Sequence, residues 1–219
     1  MTASPTTPGL RDPRTLALHA DDPALHVTVP LTVRIRRCRE EDLPRLEWFG
    51  LFTHHRAIIR EAFERQRAGD NVMLVGDAGG FPVAQAWIDL ARLHAERVGL
   101  LWAVRVLPAL QGLGLGSRLI GAAETVLRRL GYVAAEIGVE KENPGARRLY
   151  ERLGYVVVRE GREAYAYTTP AGVTERVGLD EWFLRKRLAP VAGAAGHQVK
   201  GEPAARAAPR PAARPGGAR

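Results

Sequence analysis

The sequence predicts an α/β fold: a single mixed, mostly antiparallel central sheet with helices on both faces. Three observations carry that expectation. Segments with strand and helix periodicity alternate in the order β-α-α-β-β-β-α-β-α-β-β. The 219 residues, 46% hydrophobic and 26% charged, have the length and composition of one globular domain with ragged ends. No run approaches the ~20 apolar residues that a membrane span needs.

Each element has its own signal. LTVRIRRC (31–38) reads as a strand, and EEDLPRLEWFG opens a short helix. THHRAIIREAFERQRAGD (53–70) follows, with Ala57, Ile58, Ala62 and Phe63 at helical spacing and a Gly-terminated polar end. NVMLVGD and FPVAQAWIDL flank Asp77-Ala78-Gly79-Gly80 and predict a hairpin. RVGLLWAVRVLP (97–108) is a long apolar strand stopped by Pro108. SRLIGAAETVLRRLG (117–131) places Leu119, Ile120, Ala123, Val126, Leu127 and Leu130 on one helical face. YVAAEIGVE (132–140) is a strand and NPGARRLYERLG (143–154) a helix. YVVVRE and DEWFLRKRL close the chain as strands, with an irregular stretch expected between them.

The ends differ from this middle. Residues 1–30 contain five prolines without sustained periodicity and read as a loose arm, with no basic start or apolar core of a secretory signal. Residues 190–219 are two-thirds Ala, Pro and Gly, a composition that buries too little apolar surface to order itself, so a disordered tail is expected. The domain is expected over 31–189. Lys+Arg 32 against Asp+Glu 24 gives a net charge of +8, and the tail alone holds five of the cations against Glu202. With half the excess there and no groove-reading or aromatic-interleaved pattern, no nucleic-acid partner is expected. The single Cys38 excludes a disulfide framework and a cysteine metal cluster, and a cytoplasmic chain without membrane partner is expected.

The junction after the fourth strand, Val104-Arg105-Val106-Leu107-Pro108-Ala109-Leu110-Gln111-Gly112-Leu113-Gly114-Leu115-Gly116-Ser117, carries three glycines at every second position before a helix. Glycines there let the backbone turn sharply and a ligand approach its N–H groups; the helix start offers a partial positive charge to a phosphate or pyrophosphate. A P-loop needs Gly-Lys-Ser/Thr, but Gly116 is followed by Ser117 and Arg118. A dinucleotide fingerprint needs glycine at 117 or 119, which are Ser117 and Leu119. What remains is Gln111-x-x-Gly114-x-Gly116.

In the second segment, Asn143 fits an N-cap, Pro144 the first helical position and Gly154 the helix stop. Tyr150 shares a face with Ala146 and Leu153, where half-buried packing accounts for a tyrosine as readily as chemistry does.

Together the segments resemble the GCN5-related N-acetyltransferase (GNAT) superfamily. Gln111-x-x-Gly114-x-Gly116 after Val106-x-Pro108 looks like that family's acyl-CoA pyrophosphate loop. Asn143-x-x-Ala146-x-x-Leu149-Tyr150-x-x-x-Gly154-Tyr155, about 30 residues further on, looks like its next helix. The resemblance runs from about Leu31 to Leu188 and includes the closing strand with Trp182. It implies acetyl-CoA as co-substrate, no metal, and direct attack of an amine on the thioester. It further implies that Val104, Arg105 and Val106 pair with the pantetheine arm through their backbone. Backbone N–H groups of Gln111, Gly112, Leu113, Gly114, Leu115, Gly116 and Ser117 would hold the pyrophosphate, Asn143 would bond to the pantetheine region, and Tyr150 would protonate the leaving thiolate.

The resemblance is incomplete at the base. An amine of pKa ~10.4 is mostly protonated at pH 7, a burden of about 4–5 kcal/mol, so a proton acceptor or water wire is needed. Many relatives place a Glu on the strand that here reads Leu100-Leu101-Trp102-Ala103-Val104, and relatives acting on protein N-termini often carry Glu where this chain has Gly138. Substitutes are Asp89, Glu136, Glu47 and the pair His54-His55, which is not a metal site because adjacent helical residues point about 100° apart. Glu47, Trp48, Phe49, His54 and His55 are candidates to line an acceptor pocket; Trp48 and Phe49 fit the core equally well. The expected function is N-acetylation of a small amine-bearing acceptor. The alternatives are a protein (N-terminal or lysine) acetyltransferase and a non-catalytic acyl-CoA-binding module, and the assembly state expected includes a homodimer.

Overall fold

The computed structural model describes residues 29–169 and 172–189. The expected arm (1–30, except its last two residues) and tail (190–219) lie outside the described residues. Seven strands form one sheet: β1 (Arg34–Arg37), β2 (Asn71–Ala78), β3 (Phe81–Asp89), β4 (Val98–Val106), β5 (Ala134–Glu140), β6 (Val156–Thr168) and β7 (Thr174–Arg187). Their order is β1-β2-β3-β4-β5-β7-β6. Among the described strands only β4 and β5 run parallel, so the sheet is mixed and mostly antiparallel, as the sequence predicts.

Among the described residues three α-helices cover it: α1 (Arg56–Ala68), α2 (Leu115–Arg129) and α3 (Pro144–Arg152). Strand side chains alternate between faces, so two separate cores form. On one face Leu119, Ile120, Ala123 and Leu127 of α2 pack on Ala86, Ile88, Leu101 and Ile137, with Tyr150 of α3 in the same cluster. On the other, Ile59, Ala62 and Phe63 of α1, with Leu43 and Leu46, cover Met73, Val75 and Trp87. Cys38 is buried in this second core, and Trp48 is buried with its indole N–H donated to Pro82 O at 2.7 Å.

Two expectations need correcting. The predicted first helix is a 3-10 segment, Glu40–Glu47, with Pro44 inside it; proline has no N–H to donate and its ring clashes with the preceding turn of an α-helix. The stretch predicted to be irregular, 161–179, is largely strand: β6 runs to Thr168 and β7 begins at Thr174. These strands stay paired from Val156↔Arg185 to Thr168↔Thr174, but β5 reaches only as far as Glu140↔Glu181. The outer half of the hairpin therefore overhangs the sheet, and its half-buried positions hold charged and aromatic residues such as Glu163 and Tyr165 rather than an apolar series.

The parallel pair opens a notch in the sheet. β4 and β5 are joined from Val98↔Ala134 to Leu101↔Ile137 and then part. Beyond that point β4 carries one extra residue relative to β3, between the pairs Gln85↔Arg105 and Trp87↔Trp102. Ala103 takes up the bulge at φ +48°. The β5-facing backbone edge of residues 102–106 is thus left without a strand partner.

Candidate active site

Two cavities meet at this notch. One, about 630 Å³, runs from the end of β4 along the start of α2. The other, about 420 Å³, lies between the diverging strands and beneath the β6–β7 hairpin. Val104, Arg105, Asn143, Ala146 and Tyr150 line both.

The larger cavity gathers the predicted phosphate loop. Gln111, Gly112, Gly114, Leu115, Gly116 and Ser117 line it, with Val106. Leu113 does not, and is 67% exposed. Gly114 caps α2 from the left-handed region, at φ +79°, and no side chain caps the helix in its place. The first intrahelical bond is Arg118 N to Gly114 O, which leaves the N–H groups of Leu115, Gly116 and Ser117 without helical acceptors. Side-chain space above Gly112 and Gly114 is open: a Cβ there meets nothing within 4 Å. Gln111 ties the loop to the strand end by donating to Val106 O at 3.2 Å. Asn143 caps α3, its Oδ1 accepting from Ala146 N at 3.0 Å. Arg152, two residues after Tyr150 and not singled out by sequence, adds a cation to the wall.

Tyr150 is buried. Burial pushes its phenol up to about 12, with the charge of Glu181 adding to the rise, so the proton stays on the oxygen at neutral pH. Arg105 lies over the Phe52 ring, 4.3 Å from its centroid, and desolvation lowers its pKa.

The smaller cavity sets charged groups among apolar walls such as Ile58, Trp102 and Phe183. Glu140, Glu163 and Glu181 line it, with Arg92 paired to Glu163. His55 closes one side, stacked on Phe52 and edge-on to Tyr165 of the hairpin at 5.5 Å. Its imidazole is lowered to about 4 by burial and by the charges of Arg105 and His54. Phe49 is exposed, stacked on Phe81 and outside both cavities.

The carboxylates nominated as proton acceptors are held elsewhere. Asp89 accepts from Arg65 at 2.8 Å and from the backbone N–H groups of Ala91 and Arg92; despite desolvation its pKa is lowered by these bonds. Glu136 is fully buried between Arg159 at 2.9 Å and Arg185 at 2.6 Å. Glu47 accepts from Thr53 and Arg56. None of the three lines either cavity. Glu181, which sequence reading did not single out, does.

Residues 35–155 match the model of the acetyltransferase (GNAT) family. A mycothiol acetyltransferase of Propionibacterium freudenreichii is 29% identical over 178 residues, 74% of this chain and 56% of that protein. A second mycothiol acetyltransferase, from Beutenbergia cavernae, is 37% identical over 82 residues, 37% of this chain and 27% of that protein. The chain thus spans about half the length of the first curated relative and about a quarter of the second. Among solved structures, a Salmonella typhimurium acetyltransferase with its cofactor acetyl-CoA superposes with a TM-score of 0.55 at 22% identity, over 74% of this chain and 96% of that one. The family match covers more than half of the 219 residues and includes both glycine loop and tyrosine helix: this chain belongs to the acetyltransferase (GNAT) family.

Proposed function

We propose that this protein is an acetyl-CoA-dependent N-acetyltransferase acting on a small amine-bearing acceptor, with Tyr150 as general acid. The observation that carries the reading is the meeting of the two cavities at Tyr150. One cavity has the features of a pyrophosphate cradle, with uncapped N–H groups of Leu115, Gly116 and Ser117 and open space over Gly112 and Gly114. Arg152 adds charge complementary to phosphate. The free edge of Val104, Arg105 and Val106 suits an extended amide-bearing arm as a strand would be suited. Bound acetyl-CoA supplies the activated acyl group.

The second cavity favours a cationic guest of modest size. Three carboxylates stand against two arginines there, Arg92 being paired to Glu163, so an acidic excess remains at Glu140 and Glu181, and His55 and Tyr165 narrow the cavity from opposite elements. The relatives named mycothiol acetyltransferase also speak for a small-molecule acceptor over a protein chain. Tyr150 then donates to the sulfur as it leaves, and burial keeps that donor loaded.

The test is thermal stability with acetyl-CoA, using NAD and ATP as controls, followed by thiol release with primary amines. Ligand at 100 times its Kd adds about 2.7 kcal/mol of stability. A shift with acetyl-CoA alone, and acetyl transfer to an amine, are the expected results. A shift without transfer to any amine identifies a binding module instead.

A further inference from the structure

Glu181 occupies the place of a missing side chain. In the β5–β7 ladder Glu181 stands opposite Glu140, and Phe183 opposite Gly138. Alternate residues share a face, so Glu181 and Gly138 are diagonal neighbours on one side of the sheet. The carboxylate of Glu181 leans along the strand over Gly138. A Cβ on Gly138 would lie 3.0 Å from Glu181 Oε1, 3.2 Å from Cδ and 3.3 Å from Oε2. Any residue but glycine at 138 therefore crowds this carboxylate.

The same carboxylate faces the cavity that Tyr150 faces. Among the described residues it has no hydrogen bond and no ion pair, unlike Asp89, Glu136 and Glu47. The charged and titratable groups around it come from several elements: Glu140 of β5, Glu163 and Arg159 of β6, Arg92 after β3, and the neutral phenol of Tyr150 on α3. Desolvation and the two glutamates raise its pKa; the two arginines lower it less. Such a group gains by pairing with a cation or by taking its proton, and activation of an ammonium group requires both.

We propose that Glu181 is the proton acceptor for the incoming amine, and that Gly138 is the opening through which its carboxylate reaches the reacting centre. The inference rests on the acetyltransferase reading. Glu181 first pairs with the R–NH3+ acceptor and takes one proton, becoming a neutral acid and leaving R–NH2. The nitrogen lone pair then forms the C–N bond to the thioester carbonyl. Collapse of the tetrahedral adduct breaks the C–S bond, with the electron pair leaving on sulfur. Tyr150 gives its proton to that sulfur, and the second proton lost from nitrogen replaces it. Glu181 returns its proton to solvent, so one proton is released per amide formed. The two residues are coupled, because protonation of Glu181 removes a charge that raises the Tyr150 phenol. Tyr150 thus becomes a better acid once the amine has been activated.

The experiment compares wild type, Glu181→Gln and Gly138→Ala with acetyl-CoA and four probe amines: ethanolamine, putrescine, glucosamine and alanine amide. Glu181→Gln keeps the shape and removes the proton site. Its kcat/KM for the best amine is expected to fall 10²- to 10⁴-fold, with the acidic limb of the pH profile lost and the acetyl-CoA thermal shift kept. Its Tm at pH 7.5 is expected to be unchanged or higher, since the fold raises this carboxyl's pKa and so disfavours its charge. Gly138→Ala displaces the carboxylate and is expected to give a smaller loss that does not add to that of Glu181→Gln. Activity of Glu181→Gln within threefold of wild type overturns this inference and leaves the acetyltransferase reading standing. So does a fall in Tm of several degrees together with loss of the acetyl-CoA shift, which marks a structural residue. Absence of an acetyl-CoA shift in wild type overturns the parent reading instead, and this one with it.

Discussion

At the residue scale, burial of Tyr150 constrains the acid role proposed for it. A phenol near 12 facing a thiolate near ~8.5 makes full proton transfer uphill by about 5 kcal/mol. In the proposed reaction the hydroxyl would act chiefly by hydrogen-bonding sulfur as charge develops, and would complete the transfer once a nearby negative charge had been neutralised. Tyr150→Phe is expected to lower kcat by about 10²-fold while leaving the acetyl-CoA thermal shift intact; steady-state rates alongside melting curves check this. The phenol stays protonated below its pKa, so Tyr150 imposes no basic limb on kcat up to about pH 10. A limb that starts lower and vanishes in Tyr150→Phe would contradict the burial argument. Tyr150 could be nominated from the sequence because the Asn143 to Tyr155 spacing that carries the resemblance is local to one helix. Glu181 could not, because its relation to Gly138 exists only through the register of β7 on β5.

At the scale of elements, the strand-loop-helix unit from β4 to α2 was readable because its signals are local: a proline stop, spaced glycines and an amphipathic helix. The inner halves of β6 and β7 were readable too, but the outer half of that hairpin was not, because it is held by backbone pairing and by side chains facing a cavity. Two expected outcomes separate binding from support. Gly114→Glu places a side chain at φ +79°, a strained conformation costing about 1–2 kcal/mol, and sets a carboxylate at the start of α2. Its ligand-free Tm should fall modestly, and its acetyl-CoA affinity by at least tenfold, measured by titration calorimetry. Glu136→Gln instead weakens the clamp that joins β5 to Arg159 of β6 and Arg185 of β7. Those arginines are partly exposed and can turn to water, so the loss is about 2 kcal/mol rather than that of a fully buried pair. Denaturant unfolding checks it, with turnover per folded molecule expected to stay near wild type.

For the whole molecule, acid should loosen the contact between α1 and the overhanging hairpin before it attacks the sheet. His55, just ahead of α1, is buried between Phe52 and the hairpin's Tyr165, and its Nε2 has no hydrogen-bond partner among the described residues. Burial, then the charges of Arg105 and His54, lower its pKa from 6.5 to about 4. The unfolded chain thus binds a proton between those values that the folded one refuses. Stability is complete above pH ~6.5 and falls as the pH drops toward 4, by on the order of 3 kcal/mol, or several degrees in Tm. Asp42, Asp77, Asp89 and Glu47 are all lowered, in the main by hydrogen bonds from arginines and backbone N–H groups. Their contribution is lost at more acidic pH, below the ordinary carboxylate range, because the folded state holds them ionised there. Glu181, with its pKa raised, works in the opposite sense and destabilises the fold as it ionises with rising pH. Melting curves from pH 8 down to about 2 should therefore slope down first through the histidine window, and His55→Leu should flatten that window while leaving the steeper acid limb below it. An unchanged slope in His55→Leu would show that the α1–hairpin contact does not depend on a neutral imidazole.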